Sequence, residues 1–262
     1  MRYTGGKFRI AREHANCIPL SSFRCIWEPF MGGGNVTKEI AKRIVGSQVE
    51  ELICTDISGH LMQLYKDCFE EKWPRDDLVY VSKKEYTDLR EKYHAQNVGT
   101  VELTSREILI GYACSYSGFF GPYAEQSTQN YYTDALNSIK GLMIYLRALK
   151  LRPCLFAADF LKYDPFAVDE DLRGVCIYCD PPYYGTQWKG YAGPRFRHTL
   201  FWDRCRYFSK KGARVYVAEY NAPADFSVIW EGTKPMMMSN TKTERPGRRI
   251  VERLFLCNHS CE

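Results

Sequence analysis

The stretch GVCIYCDPPYYGT, residues 174–186, decides the fold of this chain. Its first half, GVCIYC, is a short apolar run that predicts a buried strand. The strand leads into an acid, Asp180, and two prolines stiffen the turn that follows. Ligands of open α/β sheets bind outside the carboxyl ends of the strands. We therefore expect this turn to lie at a binding site on a mostly parallel sheet.

The turn DPPY, residues 180–183, presents three different chemical groups. Asp180 supplies a carboxylate, Pro181 supplies a carbonyl, and Tyr183 supplies an aromatic face. A nucleobase flipped out of a duplex needs this set, because its exocyclic amine donates to the two oxygens while its ring stacks on the tyrosine. A proline turn without a catalytic role is the plain alternative. The glycine loop described next weakens that alternative, so we predict catalytic roles for all three residues.

A second motif, FMGGGNV at residues 30–36, joins a strand to a helix. Apolar residues predict a strand at 24–29, helical spacing predicts a helix at 37–46, and another strand follows at 51–56. This βαβ unit implies parallel strands. Glycines let the backbone approach a ligand, and a helix N-terminus favours a negative group. A tight turn with a helix cap is the alternative.

The second strand ends in Asp56, 24 residues after Gly32. A carboxylate at the tip of this strand can accept hydrogen bonds from ribose hydroxyls. The loop lacks the GxGxxG pattern, so a dinucleotide is not implied.

The remaining chain predicts an α/β domain interrupted by a helical insert. Strand patterns recur at 154–159, 174–180, 213–220, 227–230 and 248–258. Helical patterns occupy 82–93, the segment after Thr104, 134–151 and 199–210. Capping-box spacing precedes two of these helices, at Ser82/Glu85 and Thr104/Glu107. We assign residues 1–60 and 151–262 to one domain and residues 61–150 to the insert.

Composition is typical of a globular protein. The 262 residues are 45% hydrophobic and 26% charged, which excludes a disordered, collagen-like or coiled-coil chain. The formal net charge of +5 permits an anionic partner without requiring one. The longest charge-free run, residues 108–124, is glycine-broken and too short to span a membrane. The first residues lack the apolar segment of a signal peptide, so we expect no membrane association.

Eleven cysteines are scattered without a framework spacing, which indicates a reducing compartment and a cytoplasmic location. Cys176 and Cys179 form a CxxC pair, but they lie three apart on a predicted strand and so face opposite ways. Cys257, His259 and Cys261 lack a partner pair for a four-ligand site. We therefore predict no metal site.

Several motifs together resemble those of the Dam-like DNA adenine N6-methyltransferases. YTGGK at 3–7 is similar to the family's N-terminal aromatic-x-GGK motif, and EPFMGGGNV at 28–36 is similar to its cofactor loop. TDIS at 55–58 carries the ribose acid, and AADF at 157–160 resembles the segment beside the cofactor's adenine. DPPY is the family's catalytic tetrapeptide, and its place after the glycine loop and the insert resembles the alpha group. RPGRRIVERLFLCN at 245–258 resembles the family's last strands.

The resemblance implies a Rossmann-like, S-adenosylmethionine-dependent methyltransferase sheet with helices on both faces. An inserted, mostly helical target-recognition domain at 61–150 would interrupt the catalytic domain at 1–60 and 151–262. The implied cofactor is S-adenosyl-L-methionine, contacted by Tyr3, Lys7, Phe30, Gly32, Gly34, Asp56, Asp159, Phe160 and Asp180. The family often has tryptophan where this chain has Tyr3. Asp180 would also face the target amine.

Double-stranded DNA is the partner that the resemblance implies. Phosphate contacts are expected from basic residues in a glycine- and proline-containing loop after DPPY, with a solvated loop as an equal alternative: Lys189, Arg195 and Arg197. Base contacts are expected from a glycine- and aromatic-rich loop of the insert: Tyr116, Ser117 and Tyr123.

The sequence therefore predicts a site-specific DNA adenine N6-methyltransferase that transfers a methyl group from S-adenosyl-L-methionine to a flipped adenine. Two alternatives stay open. A cytosine N4-methyltransferase shares the chemistry, but its tetrapeptide usually begins with serine. A non-catalytic nucleic-acid-binding module would need neither motif. We expect a cytoplasmic monomer that associates with the nucleoid when bound to DNA. A restriction–modification system with a cognate endonuclease encoded elsewhere, a phage and a host are all compatible settings.

Overall fold

The computed structural model describes residues 6–72, 80–95, 102–116, 118–125, 129–168, 170–185, 196–235 and 249–258. In this part of the chain, seven strands form one sheet: β1 (Cys25–Glu28), β2 (Glu51–Asp56), β3 (Cys154–Ala157), β4 (Val175–Cys179), β5 (Arg214–Glu219), β6 (Phe226–Pro235) and β7 (Arg249–Cys257). Their order across the sheet is β3-β2-β1-β4-β5-β7-β6. The first five strands run parallel, and β7 is antiparallel to both of its neighbours.

The strand order reverses in the middle of the sheet, between β1 and β4. β1 pairs with β2 on one side and with β4 on the other, so that Cys25 lies opposite both Glu51 and Val175. Such a reversal is the topological switch point at which ligands bind in α/β sheets. The predicted glycine loop follows β1, and the DPPY turn follows β4. The fold therefore brings the two motifs to the same edge.

The predicted strands are confirmed, with differences at their ends. The largest difference is in β6, which ends at Pro235 rather than at residue 230. β6 pairs on one side only, with β7, at the edge of the sheet. An edge strand faces solvent and carries polar residues, so the apolar pattern of its second half is too weak to predict a strand.

Seven α-helices accompany the sheet in the described residues: α1 (Ala11–Asn16), α2 (Asn35–Ile44), α3 (Gly59–Phe69), α4 (Lys83–Ala95), α5 (Ser105–Ala113), α6 (Tyr131–Arg147) and α7 (His198–Lys210). The five predicted helices are confirmed to within about one turn at each end. Thr104 and Glu107 form the expected capping box, and Ser82 Oγ accepts the N–H of Glu85 at 3.1 Å. The sequence reasoning missed α1, which is under two turns long, and α3, whose N-terminus Ser58 caps.

Two apolar clusters cover the two faces of the sheet. Ile26 and Tyr178 lie in a cluster with side chains from α1 to α6. Trp27 and Ile177, their neighbours in sequence, lie in the other cluster with side chains from α7. Because successive residues of a strand point to opposite faces, this division shows helices packed on both sides. The predicted layer arrangement is confirmed.

The CxxC pair lies across the sheet rather than along one face. Cys176 belongs to the cluster of Tyr178, Cys179 belongs to the cluster of Trp27, and both are fully buried. The expectation that they face opposite ways is therefore confirmed. Among the described residues, no group of three histidine, cysteine or acidic side chains is arranged to hold a metal ion. Cys257 is buried, while His259 and Cys261 fall outside the described residues.

The helices of residues 61–150 are joined to the sheet through α3 and α6. α3 packs against β2 and β3, α6 packs against α2, and α4 packs against α5. Side chains of all these helices share one buried cluster with the sheet. No helix in the described segments is long and apolar enough to cross a membrane.

Trp27 offers a test of the core beneath the switch point. Its side chain is fully buried, its ring lies 5.4 Å from those of Phe160 and Phe208, and its indole N–H donates to Thr55 Oγ1 at 3.1 Å. We expect Trp27→Ala to lower the free energy of unfolding by about 3–5 kcal/mol, measured by urea denaturation. Phe8→Ala is the control, because Phe8 is 84% exposed and should cost less than about 0.5 kcal/mol. Equal losses in the two variants would contradict the prediction.

Candidate active site

An ion pair joins the N-terminal segment to the DPPY turn. Lys7 Nζ lies 2.7 Å from Asp180 Oδ1, and the two side chains are only 5% and 17% exposed. The backbone of Lys7 is anchored as well, because its carbonyl accepts the N–H groups of Ile10 and Ala11 at the start of α1. Both charges are thus held in place at a site that excludes most water. Ion pairs in such surroundings are screened far less than those in solvent.

The aromatic ring of the DPPY turn packs beside this ion pair. Lys7 Nζ lies over the ring of Tyr183, 4.4 Å from its centroid. Tyr220 approaches the same ring edge-on, with centroids 4.6 Å apart. Tyr183 is 7% exposed, and burial raises the pKa of its hydroxyl well above the usual value. The ammonium group of Lys7 therefore occupies two features that we expect a target base to use, the carboxylate of Asp180 and the face of Tyr183.

Asp56 is bonded to the glycine loop as well as to its own turn. One carboxylate oxygen accepts the N–H of Gly32 and the other accepts the N–H of Ser58, both at 2.9 Å. Burial raises the pKa of Asp56, and these N–H bonds oppose the rise. Each carboxylate oxygen has two lone pairs, so a further donor such as a ribose hydroxyl can still bond there.

The glycine loop closes tightly over the N-terminus of α2. Gly34 precedes the helix with a φ of +69°, and a Cβ on it would lie 2.8 Å from Leu142 Cδ2. Tyr65 donates its hydroxyl to the carbonyl of Gly32 at 2.9 Å. Only glycine adopts this backbone in so little space without strain. Glycine at this position is therefore required by the packing of the loop against Leu142 and Tyr65.

The other predicted cofactor contacts lie at different depths. Phe30 is half-buried, and its ring lies 5.4 Å from that of Phe160. Phe160 itself is only 3% exposed and packs in the core against Trp27. Asp159 caps its own turn, with Oδ1 accepting the N–H of Leu161 at 3.0 Å. Phe30 is therefore the more accessible member of an aromatic cluster in which Phe160 is buried.

Sequence reasoning missed Glu28, a fully buried acid at the end of β1. Its Oε2 accepts the hydroxyl of Thr37 in α2 at 2.7 Å. Burial, and to a smaller degree the nearby charges of Asp180 and Asp56, raise its pKa to about 8. The signal in the sequence is an acid at the end of a strand, which is the same signal that pointed to Asp56. Glu28 also lies directly before the glycine loop.

Two of the predicted base-contacting residues, Tyr116 and Tyr123, lie in a small hairpin that follows α5. Ser115 and Tyr123 form an antiparallel bridge, and Tyr116 N–H donates to the carbonyl of Pro122 at 2.7 Å. Tyr116 is 52% exposed, whereas the half-buried Tyr123 donates its hydroxyl to the carbonyl of Val81. Tyr116 is therefore exposed on the hairpin, while Tyr123 attaches the hairpin to the segment before α4.

Of the predicted phosphate contacts, the structure describes Arg197. It is exposed and is the residue directly before α7. Four other predicted site residues fall outside the described residues: Tyr3, Ser117, Lys189 and Arg195.

A cavity of about 250 Å³ opens beside the DPPY turn, between the ends of β4 and β5. Its walls include four aromatic or imidazole rings, those of Tyr184, His198, Trp202 and Tyr220. No motif predicted it, because its walls come from three separate segments of the chain.

The strand order and the placement of both motifs at its switch point define a Rossmann-like methyltransferase fold. The sequence model of the D12 class N6 adenine-specific DNA methyltransferases matches residues 3–229, which is most of the chain. The chain therefore belongs to that family and is an adenine-specific DNA methyltransferase. Among curated proteins, none is matched by the sequence.

Solved structures with a similar chain path include two of the rRNA methyltransferase aviRa from Streptomyces viridochromogenes. They share 14% and 13% sequence identity with this chain, with TM-scores of 0.39 and 0.38. Each similarity covers 95% of this chain and 82% of the other. The assignment rests on the family match and the strand order rather than on these similarities.

The buried state of Glu28 gives a prediction for pH dependence. Its pKa is about 8 in the folded protein and near 4.5 when exposed, so the folded state binds the proton more tightly. Its contribution to stability is therefore complete below pH 4.5 and is lost as pH rises to about 8. We expect Glu28→Gln, which keeps an acceptor for Thr37, to flatten the decline in the free energy of unfolding over this range, measured by urea denaturation. Parallel pH curves for both proteins would show that Glu28 is not held protonated.

Proposed function

We propose that the protein methylates N6 of a specific adenine in double-stranded DNA, with the base flipped into the edge of the sheet between β1 and β4. The observation that carries the proposal is the cluster of Lys7, Asp180 and Tyr183 beside the glycine loop. The turn carries a carboxylate, a proline carbonyl and an aromatic ring, and the pairing of β1 with β4 brings the glycine loop to the same edge of the sheet. A duplex hides N6, so the chemistry requires base flipping.

The cofactor of the proposed reaction is S-adenosyl-L-methionine, and the residues of the glycine-loop edge fit it. The loop carries three glycines directly before the N-terminus of α2, where a ligand would meet backbone. Asp56 can receive ribose hydroxyls, and β1 and β4 bring this loop and the DPPY turn to the same edge of the sheet. When bound, the cofactor supplies a methyl group on a sulfonium sulfur.

The proposed catalysis acts on the target amine. The lone pair of adenine N6 is delocalised into the ring, which makes the amine a poor nucleophile. Asp180 and the carbonyl of Pro181 would accept its two N–H bonds and draw the nitrogen towards a tetrahedral shape, freeing the lone pair for attack. The methylated amine is acidic and loses its proton readily, so Asp180 need not be a strong base. Positioning and fixed dipoles supply the rate enhancement.

Lys7 has to move before a target adenine can bind Asp180 and stack on Tyr183. Its ammonium group lies on an oxygen of Asp180 and over the ring of Tyr183. An adenine stacked on Tyr183 and bonded to Asp180 would need the same space. We propose that the incoming base shifts Lys7 off the ring, and that Lys7 holds the side chain of Asp180 in place until then.

The remaining expectations concern the setting of the reaction. We propose that residues 61–150 form the target-recognition insert of a catalytic domain at 1–60 and 151–262. We further propose a monomer that works on DNA in the cytoplasm, at the nucleoid. For a restriction–modification setting we propose a cognate restriction endonuclease encoded elsewhere as the partner; a phage and a host setting need none.

The direct test is methyl transfer from radiolabelled S-adenosyl-L-methionine to duplex DNA, followed by nucleoside analysis of the product. We expect the label in N6-methyladenine. Label in N4-methylcytosine would support the cytosine alternative. Cofactor and DNA binding without any transfer would support a binding module. Sequencing of methylated positions in DNA from cells that express the protein identifies the target site.

The two acids should fail in different ways when they are replaced. Asp180→Asn keeps the shape of the side chain but removes the charge that polarises the amine, so we expect turnover to be lost.

Asp56→Ala removes hydrogen bonds to a charged group, and we expect the cofactor dissociation constant to rise about 10- to 150-fold by calorimetry. Near-normal turnover of Asp180→Asn, or unchanged cofactor affinity of Asp56→Ala, would contradict the respective role.

The exposed residues of the DNA-facing loops should separate phosphate contact from base contact. Each phosphate contact adds about 0.9 to the slope of log affinity against log salt, so Arg197→Ala should flatten that slope at every sequence alike. Tyr116→Ala should instead reduce the preference for the target sequence and leave the slope unchanged. Arg214→Ala is the matched control, because Arg214 is exposed at the opposite end of the sheet. A changed site preference in Arg197→Ala would reverse the two assignments.

A further inference from the structure

A buried acid outside the motifs contacts the backbone of the DPPY turn. Glu219 is the last residue of β5, the strand beside β4, and it is only 1% exposed. Its Oε1 accepts the N–H of Tyr184 at 2.6 Å. Tyr184 directly follows the tetrapeptide, so this bond fixes the chain at the point where it leaves Tyr183.

The other side of Glu219 is bonded to its own loop. Its Oε2 accepts the N–H of Tyr220. The carbonyl of Tyr220 accepts from Arg253 Nη1 of β7 at 2.6 Å, which anchors this loop on a neighbouring strand. The ring of Tyr220 in turn packs edge-on against Tyr183. Glu219 thus connects a loop held by the sheet to the turn that carries the catalytic groups.

If this position required packing alone, an apolar side chain would fill it at a lower free-energy cost than a carboxylate. Burial of a carboxylate is costly unless hydrogen bonds compensate it. Burial raises the pKa of Glu219, and backbone N–H bonds, that from Tyr184 first among them, oppose the rise. Both of its oxygens are directed at backbone N–H groups of two different loops. The arrangement is typical of a group that orients its neighbours.

We propose that Glu219 is a positioning residue for methyl transfer, which fixes the Pro181 carbonyl and the Tyr183 ring by holding the N–H of Tyr184. The inference rests on the proposed function of the DPPY turn. Small displacements matter there, because catalysis by orientation loses its effect when groups are misplaced by about 1 Å. Glu219 acts in this proposal through the backbone of the turn, so its loss should lower turnover and leave ligand binding almost unchanged.

Two substitutions separate positioning from general support of the fold. Glu219→Gln keeps the volume and one acceptor oxygen, while Glu219→Leu keeps only the volume. We expect kcat to fall about 10-fold or more in Glu219→Gln, as loss of a charge-assisted hydrogen bond implies, and further in Glu219→Leu. The KM for DNA and the dissociation constant for S-adenosyl-L-methionine should stay within about threefold of the wild-type values. Glu170→Gln is the control, because Glu170 pairs with Arg24 at the opposite end of the strands and should leave kcat unchanged.

Amide hydrogen exchange at Tyr184, measured by NMR, tests the same bond without any turnover. We expect exchange to be about 10-fold faster in Glu219→Gln and no faster in Glu170→Gln. Unchanged exchange, or wild-type kcat despite faster exchange, would overturn the inference. If Glu219→Leu does not fold, Glu219→Gln decides the question. Absence of methyl transfer by the wild-type protein would instead refute the proposed function, and the exchange measurement would still decide whether Glu219 holds the turn.

Discussion

The parallel pairing of β1 with β4 is the constraint on which the rest of the site depends. It sets Cys25 opposite Val175 in the middle of the sheet, and both strands are buried throughout. A slip of one residue would move every side chain to the wrong face, so burial on both sides fixes the register. The loops after the two strands are then neighbours by necessity. The contact of Lys7 with Asp180 adds the N-terminal segment to the same edge.

The acids at this edge are each stabilised in a different way. Glu28 is compensated by protonation, since burial raises its pKa to about 8. Asp56 and Glu219 are compensated by backbone N–H groups, and Asp180 by the ammonium group of Lys7. Four carboxyl groups can therefore share one end of the sheet without strong mutual repulsion. Of these four acids, Asp180 is the one paired with a side-chain ammonium group, and in the proposed reaction it is the one that receives the target amine.

The end of β2 and the hairpin after α5 are connected by a short chain of contacts. Ser58 donates its N–H to Asp56, and its hydroxyl bonds to the hydroxyl of Tyr112 in α5 at 2.6 Å. Tyr112 packs against Phe119 of the hairpin, with ring centroids 4.5 Å apart. The helices of residues 61–150 also share a buried cluster with the sheet. The hairpin is therefore joined to Asp56 at the end of β2 through packed and hydrogen-bonded groups.

The sequence by itself determined the strands, most of the helices and the two motifs, because apolar periodicity, glycine runs and the DPPY turn are local patterns. It also placed Asp56 and Asp180 at strand ends, which the structure confirms. Only the tertiary structure decided that Lys7 contacts Asp180, that Phe160 lies in the core beneath Phe30, and that Glu219 holds Tyr184. These contacts join residues 35 to 173 positions apart, and no local pattern encodes which distant side chain fills a given space. They follow from the strand order, which is set by the burial of whole faces rather than by any single motif.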